Sequence, residues 1–154
     1  MSHQHEDTQA CDPIAQYLVE LGVDVYFDKY DKVLSQLTAA GNPTKVTQHI
    51  QEGIEFSTHM VCVVSPKTVK SYWVPFEVGY GYNRITLGVL TLKGVADEKL
   101  PHNMKTTQVI RGTESLNFFI AELLGQSKDF LETRASFKSS SSNHPLDSVL
   151  DWNK

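Results

Sequence analysis

The chain has 154 residues, about the size of one domain and enough to bury a core without disulfide bonds or metals. Apolar residues make up 40% and charged residues 21%, a composition typical of globular proteins and too apolar for a disordered chain. A formal net charge of -4 argues against general binding to nucleic acid or to an anionic membrane surface. The two cysteines, Cys11 and Cys62, imply no disulfide framework.

The beginning of the chain carries no sign of secretion. Residues 1–7 contain no apolar segment of a signal peptide, and no window of the sequence approaches the about 20 apolar residues of a membrane span. We therefore expect no membrane partner and a cytoplasmic location.

Helical and strand patterns alternate along the first third of the chain. Apolar residues at three- and four-residue steps predict a helix from Thr8 to Leu21 that ends at Gly22. The β-branched and aromatic residues 23–27 predict a strand. The polar stretch 28–42 then predicts a long loop.

The middle of the chain predicts a helix followed by a buried strand. Pro43 fits the first turn of a helix that runs to about Ser57, with Phe56 as a further candidate for its inward face. The other inward residues of this helix are Val46, Ile50 and Ile54. Residues 60–64 are apolar without alternation, which is typical of a strand covered on both faces in a parallel sheet.

Three further elements and a final helix follow. The sequence predicts a helix from Tyr72 to Asn83, a strand over residues 85–92 and a short strand over residues 108–110. The last helix is predicted over residues 113–124, with Thr113 as its N-cap and Gly125 as its stop.

The end of the chain differs in composition from the rest. Residues 139–142 are a low-complexity serine run, and residues 146–152 contain a short apolar patch. The patch is either a docking segment or part of a disordered end. We therefore divide the chain into a domain over residues 1–126 and a C-terminal helix or flexible tail over residues 127–154.

This alternation of strands and helices predicts an α/β domain with a doubly wound parallel sheet and right-handed crossovers. Ligands of such sheets bind beyond the carboxyl ends of the strands. We therefore expect the site in the loops that follow the strands.

The stretch SYWVPFEVGYG, residues 71–81, places one carboxylate among aromatic residues after the buried strand. Pro75 must lie in the first turn of its helix, so Tyr72 is the earliest N-cap and Glu77 falls in the first or second turn. There the helix dipole favours an ionised carboxylate, and Trp73, four residues earlier, shares its helical face. The two side chains form a pocket wall for a flat ligand and its sugar, or they are ordinary packing and dipole partners.

Five short motifs, in this order and spacing, resemble the TIR domain family over about residues 2–124, and in particular its NAD-cleaving bacterial members. They are Ser2-His3-x-x-x-Asp7, Val25-Tyr-Phe-Asp28, Ile50-x-x-Gly53-Ile54-x-x-Ser57, Val61-x-Val-Val-Ser65-Pro66 and Trp73-Val-x-x-Glu77. A tryptophan and a glutamate at this spacing are weak evidence alone, whereas five motifs in order are more specific.

The resemblance implies a flavodoxin-like, three-layered doubly wound sheet and cleavage of the nicotinamide–ribose bond of NAD. It implies that Glu77 is the catalytic carboxylate, that Trp73 lines the site, and that Asp28 opens a loop over the substrate. The other residues that it assigns to substrate binding are Ser2, His3, Tyr72 and Ser65. NAD is then a substrate, and no cofactor is expected. We expect no metal either, because the acidic and histidine residues within 3–7 lie too near the chain end for support from surrounding residues.

One carboxylate is enough for this chemistry. Glycosidases need a second carboxylic acid to protonate the leaving group, whereas nicotinamide leaves from NAD without a proton donor. A single anion near the ribose stabilises the developing positive charge. Hydrolysis to ADP-ribose and cyclisation both remain open.

Two other functions remain open. One is a catalytically silent TIR module that acts by assembling with partners, and the other is an enzyme resembling nucleoside deoxyribosyltransferases. For the NAD-cleaving enzyme, the resemblance implies self-association and a nucleotide signal in bacterial antiviral defence, with a separate sensor or effector protein.

The sequence departs from the family pattern at its start. TIR domains normally have a strand ahead of the Ser-His element, and Met1 takes that place here. We expect this first strand to be absent or truncated, with an upstream segment missing or another element in the gap.

Overall fold

The computed structural model describes residues 1–68, 71–127 and 144–152. The helices in this part of the chain are α1 (Thr8–Glu20), α2 (Lys32–Ala39), α3 (Pro43–Glu55), α4 (Trp73–Gly81) and α5 (Thr113–Leu124). The strands are β1 (His59–Val64), β2 (Thr86–Thr91) and β3 (Gln108–Ile110). Short 3₁₀ turns lie at His5–Asp7, Asp28–Tyr30 and Asp97–Lys99.

The three strands form one parallel sheet in the order β1-β2-β3. Helices α1 and α5 pack on one face, against Val61, Val63 and Leu90. Helices α3 and α4 pack on the other face, against Met60, Cys62 and other strand residues. The predicted α/β class with a parallel sheet between two helical layers is therefore confirmed, and it explains the apolar run of β1, which is buried on both faces.

The predicted strand over residues 23–27 is wrong. Phe27 has extended backbone angles and a buried side chain, but the segment forms no ladder with another strand in the described parts of the chain. Within this segment, the Tyr26 carbonyl accepts a hydrogen bond of 2.6 Å from the amino group of Met1. Local propensity gave an extended backbone, but a strand also needs a paired neighbour.

The first residues of the chain lie beside β1. Ser2 forms a parallel bridge with Cys62, because its N–H donates to the Val61 carbonyl at 2.9 Å and its carbonyl accepts from the Val63 N–H at 2.8 Å. Met1 and Ser2 thus connect the middle of β1 to residue 26.

The stretch over residues 28–42, predicted as a loop, contains α2. Asp31 begins this helix, and its side chain accepts a hydrogen bond of 2.9 Å from the Leu34 N–H. An aspartate N-cap is a strong helix start, and α2 packs against α3. Two smaller predictions are also wrong. Phe56 is 91% exposed because α3 ends at Glu55, and the N-cap of α5 is Gly112.

The end of the described chain packs into the core. Leu146 and Leu150 are completely buried in the cluster that contains α1 and α5. Of the two alternatives for the apolar patch over residues 146–152, the structure therefore shows the docking segment. The backbone carbonyls of Asp151 and Trp152 accept hydrogen bonds from the first N–H groups of α5, at 2.9 and 3.1 Å. Those donors have no partner within a helix, so the tail stabilises the start of α5 in place of a threonine cap. The serine run over residues 139–142 lies outside the described residues.

None of the helices in the described ranges combines the length and the apolar character needed to cross a membrane.

Candidate active site

Glu77 lies in the second turn of α4, within the range that the sequence predicts. Tyr72 is the N-cap residue, but the Val74 N–H donates instead to Ser71 Oγ, at 3.1 Å. Pro75 is the third residue of the helix, where a missing N–H leaves no hydrogen bond unmade. The proline and the hydrogen bond from Val74 to Ser71 are both consistent with a helix that begins at Trp73, which puts Glu77 in its second turn.

Glu77 and Trp73 line one cavity of about 650 Å³. The cavity brings together five of the predicted site residues: Ser2, His3, Asp28, Trp73 and Glu77. It continues along the edge of β1 to His59 and Ser57, so it extends beyond the loops at the carboxyl end of the sheet. The volume falls within the range of small-molecule binding sites.

Ser2 holds the Glu77 carboxylate. Its hydroxyl group donates a short hydrogen bond to Glu77 Oε2, while its backbone is fixed against β1. The two residues are 75 positions apart in the sequence, and the sheet bridge is what brings them together. A hydroxyl fixed in this way orients one carboxylate oxygen and leaves the other available to a ligand.

The environment of Glu77 opposes its ionisation overall. Burial raises the pKa of Glu77 above its ordinary value, the hydrogen bond from Ser2 lowers it, and the negative charge of Asp28 raises it again. The helix dipole favours the ionised form, but removal of water has the larger effect here. A partly buried carboxylate with a raised pKa in a cavity is a frequent feature of active sites.

His3 and Asp28 form the side of the cavity next to Ser2. His3 Nδ1 lies 3.3 Å from Asp28 Oδ1, and no described residue makes a hydrogen bond with this nitrogen. Its Nε2 atom lies 3.1 Å from Thr8 Oγ1, and its ring lies 4.9 Å from the ring of Phe27. Burial lowers the pKa of His3, although Asp28 opposes this effect, so the neutral imidazole is favoured.

Trp73 presents a partly open ring to the cavity. It is 42% exposed, and its ring meets Phe76 edge-on at a centroid distance of 5.9 Å. The contact with Phe76 supports one side of the indole, and a flat ligand ring has room to stack on the exposed part.

Tyr72 and Ser65 do not line the cavity. Tyr72 is 93% exposed, because the residue before α4 points away from the sheet. Ser65 is buried behind the site, where its hydroxyl group donates to Asp7 Oδ2 at 2.5 Å and its N–H donates to Thr68 Oγ1 at 2.8 Å. Ser65 therefore supports the loop after β1.

Sequence reasoning missed one side of the cavity. Helices α2 and α3 contribute a largely apolar wall, lined by Leu34, Thr38, Ala39, Val46, Ile50 and Gly53. Tyr26 lines the cavity as well. The available signal was Asp31 followed by apolar residues at helical spacing, which is a typical helix start.

In the described residues, no group of three histidine, cysteine or acidic side chains is arranged to hold a metal ion.

Comparison with known proteins identifies the family. A family model described as the TIR domain matches residues 1–124, which is most of the chain. Searches of curated proteins and of solved structures gave no match. The matched residues include the whole sheet, all five helices of the described chain and the cavity with Glu77. The chain therefore belongs to the TIR domain family.

Proposed function

We propose that this TIR domain cleaves the bond between nicotinamide and ribose in NAD, with Glu77 as the catalytic carboxylate. The observation that carries the proposal is the partly buried Glu77 side chain, held by Ser2 in a cavity that Trp73 also lines. Family membership by itself leaves both an enzyme and an interaction module open, so the proposal depends on this geometry.

The cavity offers each group that the reaction needs. The indole of Trp73 lines the cavity, and its proposed role is to stack on the pyridinium ring of nicotinamide, because a pyridinium cation over an indole face is an attractive pairing. The free oxygen of Glu77 then faces the ribose, where positive charge develops as the bond breaks. The neutral imidazole of His3 and the carboxylate of Asp28 are available to the ribose hydroxyls.

The bond changes balance without a protein acid. The bond between C1′ of the ribose and the nicotinamide nitrogen breaks, and its electron pair goes to that nitrogen, which neutralises the pyridinium charge. Water then attacks C1′ and loses a proton, which gives ADP-ribose. Alternatively, a nucleophile from the same substrate closes a cyclic product. In both cases the Glu77 carboxylate stabilises the cation at C1′, so one anion suffices.

The test is to identify and quantify the products. Purified protein is incubated with NAD over a range of protein concentrations, because TIR domains commonly self-associate, and nicotinamide and ADP-ribose products are measured by chromatography and mass spectrometry. We expect nicotinamide release that Glu77→Gln abolishes. The matched control is Glu122→Gln, which removes an exposed carboxylate on α5, on the other side of the sheet.

The competing function is a catalytically silent TIR module. The fully exposed Tyr72 beside the half-exposed Trp73 provides an aromatic surface that such a module could use for assembly. No release of nicotinamide at any protein concentration would favour this module. Transfer of a deoxyribose between bases, with no action on NAD, would favour the enzyme resembling nucleoside deoxyribosyltransferases.

The biological role that we propose follows from the family resemblance. The product, either ADP-ribose or a cyclic ADP-ribose-type nucleotide, serves as a signal in bacterial antiviral defence, and a separate protein senses infection or responds to the signal.

A further inference from the structure

Helix α2 forms part of the cavity wall, although its own packing is slight. Leu34 and Thr38 of α2 line the cavity, and Val46 and Ile50 of α3 continue this wall. The helix has eight residues, and none of its side chains is fully buried. Burial of apolar surface is the main force that holds a short helix in place, so α2 needs other contacts.

Asp31 supplies these contacts from a single carboxylate. Its Oδ1 atom accepts a hydrogen bond of 2.9 Å from the Leu34 N–H at the start of α2. Its Oδ2 atom accepts a hydrogen bond of 2.5 Å from the Tyr26 hydroxyl group and lies 2.6 Å from His49 Nε2 on α3. The carboxylate thus joins α2 to α3 and to the segment that precedes both helices.

The partners of Asp31 are themselves fixed. The ring of Tyr26 lies against Gly53 of α3, where an added Cβ atom would be 3.3 Å from Tyr26 Cε1. Tyr26 also lines the cavity, so it contacts the ligand space while its hydroxyl group holds Asp31. The contact between Tyr26 and Asp31 therefore joins the start of α2 to a residue that lines the cavity.

The ionised form of Asp31 maintains this arrangement. Burial raises the pKa of Asp31, but the hydrogen bonds from Tyr26, Leu34 and His49 outweigh it and lower the pKa to about 2. An ionised carboxylate only accepts hydrogen bonds, so Tyr26 and His49 both act as donors toward it. Bonds of this kind are stronger than bonds between neutral groups.

We propose that Asp31 is a positioning residue that fixes α2 as the wall of the cavity and thereby sets the affinity of the site for its dinucleotide. Asp31 does not itself line the cavity, so it acts through Tyr26 and through the residues of α2. The part of the proposal that concerns affinity rests on the proposed function, whereas the part that concerns α2 does not.

The variants separate the two roles of the carboxylate. Asp31→Asn keeps an acceptor for the Leu34 N–H, because asparagine is as good an N-cap as aspartate, but it lacks the charge that Tyr26 and His49 contact. Tyr26→Phe removes one of these donors and keeps a ring against Gly53. The control is Asn42→Asp, which exchanges the N-cap of α3 for an equivalent one.

Two measurements test the proposal. Hydrogen exchange at the amides of residues 32–39 should become about tenfold faster or more in Asp31→Asn and Tyr26→Phe, with exchange in β1 and α5 unchanged. The KM for NAD should rise about tenfold, which corresponds to about 1.4 kcal/mol, while kcat changes by no more than about twofold. Asn42→Asp should match the wild type in both measurements.

Two results would overturn the proposal. One is wild-type exchange in α2 for both variants, which would show that Asp31 does not fix the helix. The other is faster exchange with an unchanged KM, which would show that the helix does not determine affinity. If even the wild type releases no nicotinamide, the proposed function fails, and the exchange measurement still decides whether Asp31 fixes α2.

Discussion

Replacement of Ser2 by alanine is expected to shift the pH dependence of the enzyme. The Ser2 hydroxyl group donates to the Glu77 carboxylate and so lowers the pKa of Glu77, against the larger effect of burial, which raises it. Alanine removes the hydroxyl group but keeps the N–H and carbonyl groups that bind Val61 and Val63. The pKa of Glu77 should therefore rise further, while the backbone around it stays in place.

The size of the pKa shift follows from the loss of one hydrogen bond, from the Ser2 hydroxyl group to Glu77. A hydrogen bond to a charged group contributes about 1.5–3 kcal/mol, and water in an open cavity restores part of this amount. A net loss of about 1.4 kcal/mol corresponds to about tenfold in the ionisation equilibrium. On the acid side of the profile, kcat/KM for NAD should therefore fall about tenfold. At high pH, where Glu77 is ionised in both proteins, the two values should converge.

The assay is kcat/KM for NAD from about pH 5 to about pH 9, since this parameter reports the ionisation of the free enzyme. Ser2→Thr is the control, because threonine keeps a hydroxyl group at this position and should leave the acid side close to that of the wild type. If the acid limb of the kcat/KM profile stays at the same pH in Ser2→Ala, or shifts toward lower pH, the role assigned to the Ser2 hydroxyl group is refuted.

Three predictions concern stability. Because burial raises the pKa of Glu77, its favourable contribution is present below the unfolded pKa of about 4.3 and is lost as pH rises through the folded pKa. Glu77→Gln should accordingly raise the thermal midpoint at about pH 8 and give little gain at about pH 4; a lower midpoint at pH 8 contradicts this. Leu150→Ala should cost about 2–5 kcal/mol in urea unfolding, since Leu150 is completely buried, and a cost below about 1 kcal/mol would show that the tail does not pack as described. Gly88→Ala would place a Cβ atom 2.9 Å from Ile110 Cδ1 and should cost about 1–3 kcal/mol in the same assay, whereas a neutral effect would mean that the core accommodates the methyl group.

The sheet and most helices could be predicted because their signals are local. The continuous apolar run of β1 and the helical spacing in α1 and α5 each fit one kind of element. Residues 23–27 show that local signals do not predict strand pairing. Their backbone is extended, as propensity predicts, but whether an extended segment becomes a strand depends on a neighbour elsewhere in the chain.

Helix α2 was missed for a different reason. The stretch over residues 28–42 has many polar and turn-forming residues, which indicate a loop, yet Asp31 starts a helix in which no side chain is fully buried. Tertiary contacts contribute to the outcome here, because the contact between His49 and Asp31 joins residues 18 positions apart, on two different helices or their caps.

In the site too, contacts between residues close in the sequence could be predicted, and contacts between distant residues could not. Trp73 and Glu77 are four residues apart on one helix, so their shared wall follows from spacing alone. Tyr72 precedes the helix and points outward, which spacing could not determine. The pairing of Ser2 with Glu77 crosses 75 residues, and only the family resemblance placed both residues in one site before the structure did.

The catalytic role of Glu77 is tested most directly when the binding of NAD and the cleavage of NAD are measured separately. The rate of nicotinamide release and the Kd for NAD are measured side by side for the wild type, Glu77→Gln and Glu122→Gln. We expect Glu77→Gln to lose about 100-fold or more in turnover and to keep a Kd within about threefold, because the carboxylate acts on the charge that develops in the transition state. Turnover by Glu77→Gln near the wild-type rate would contradict a catalytic role for Glu77.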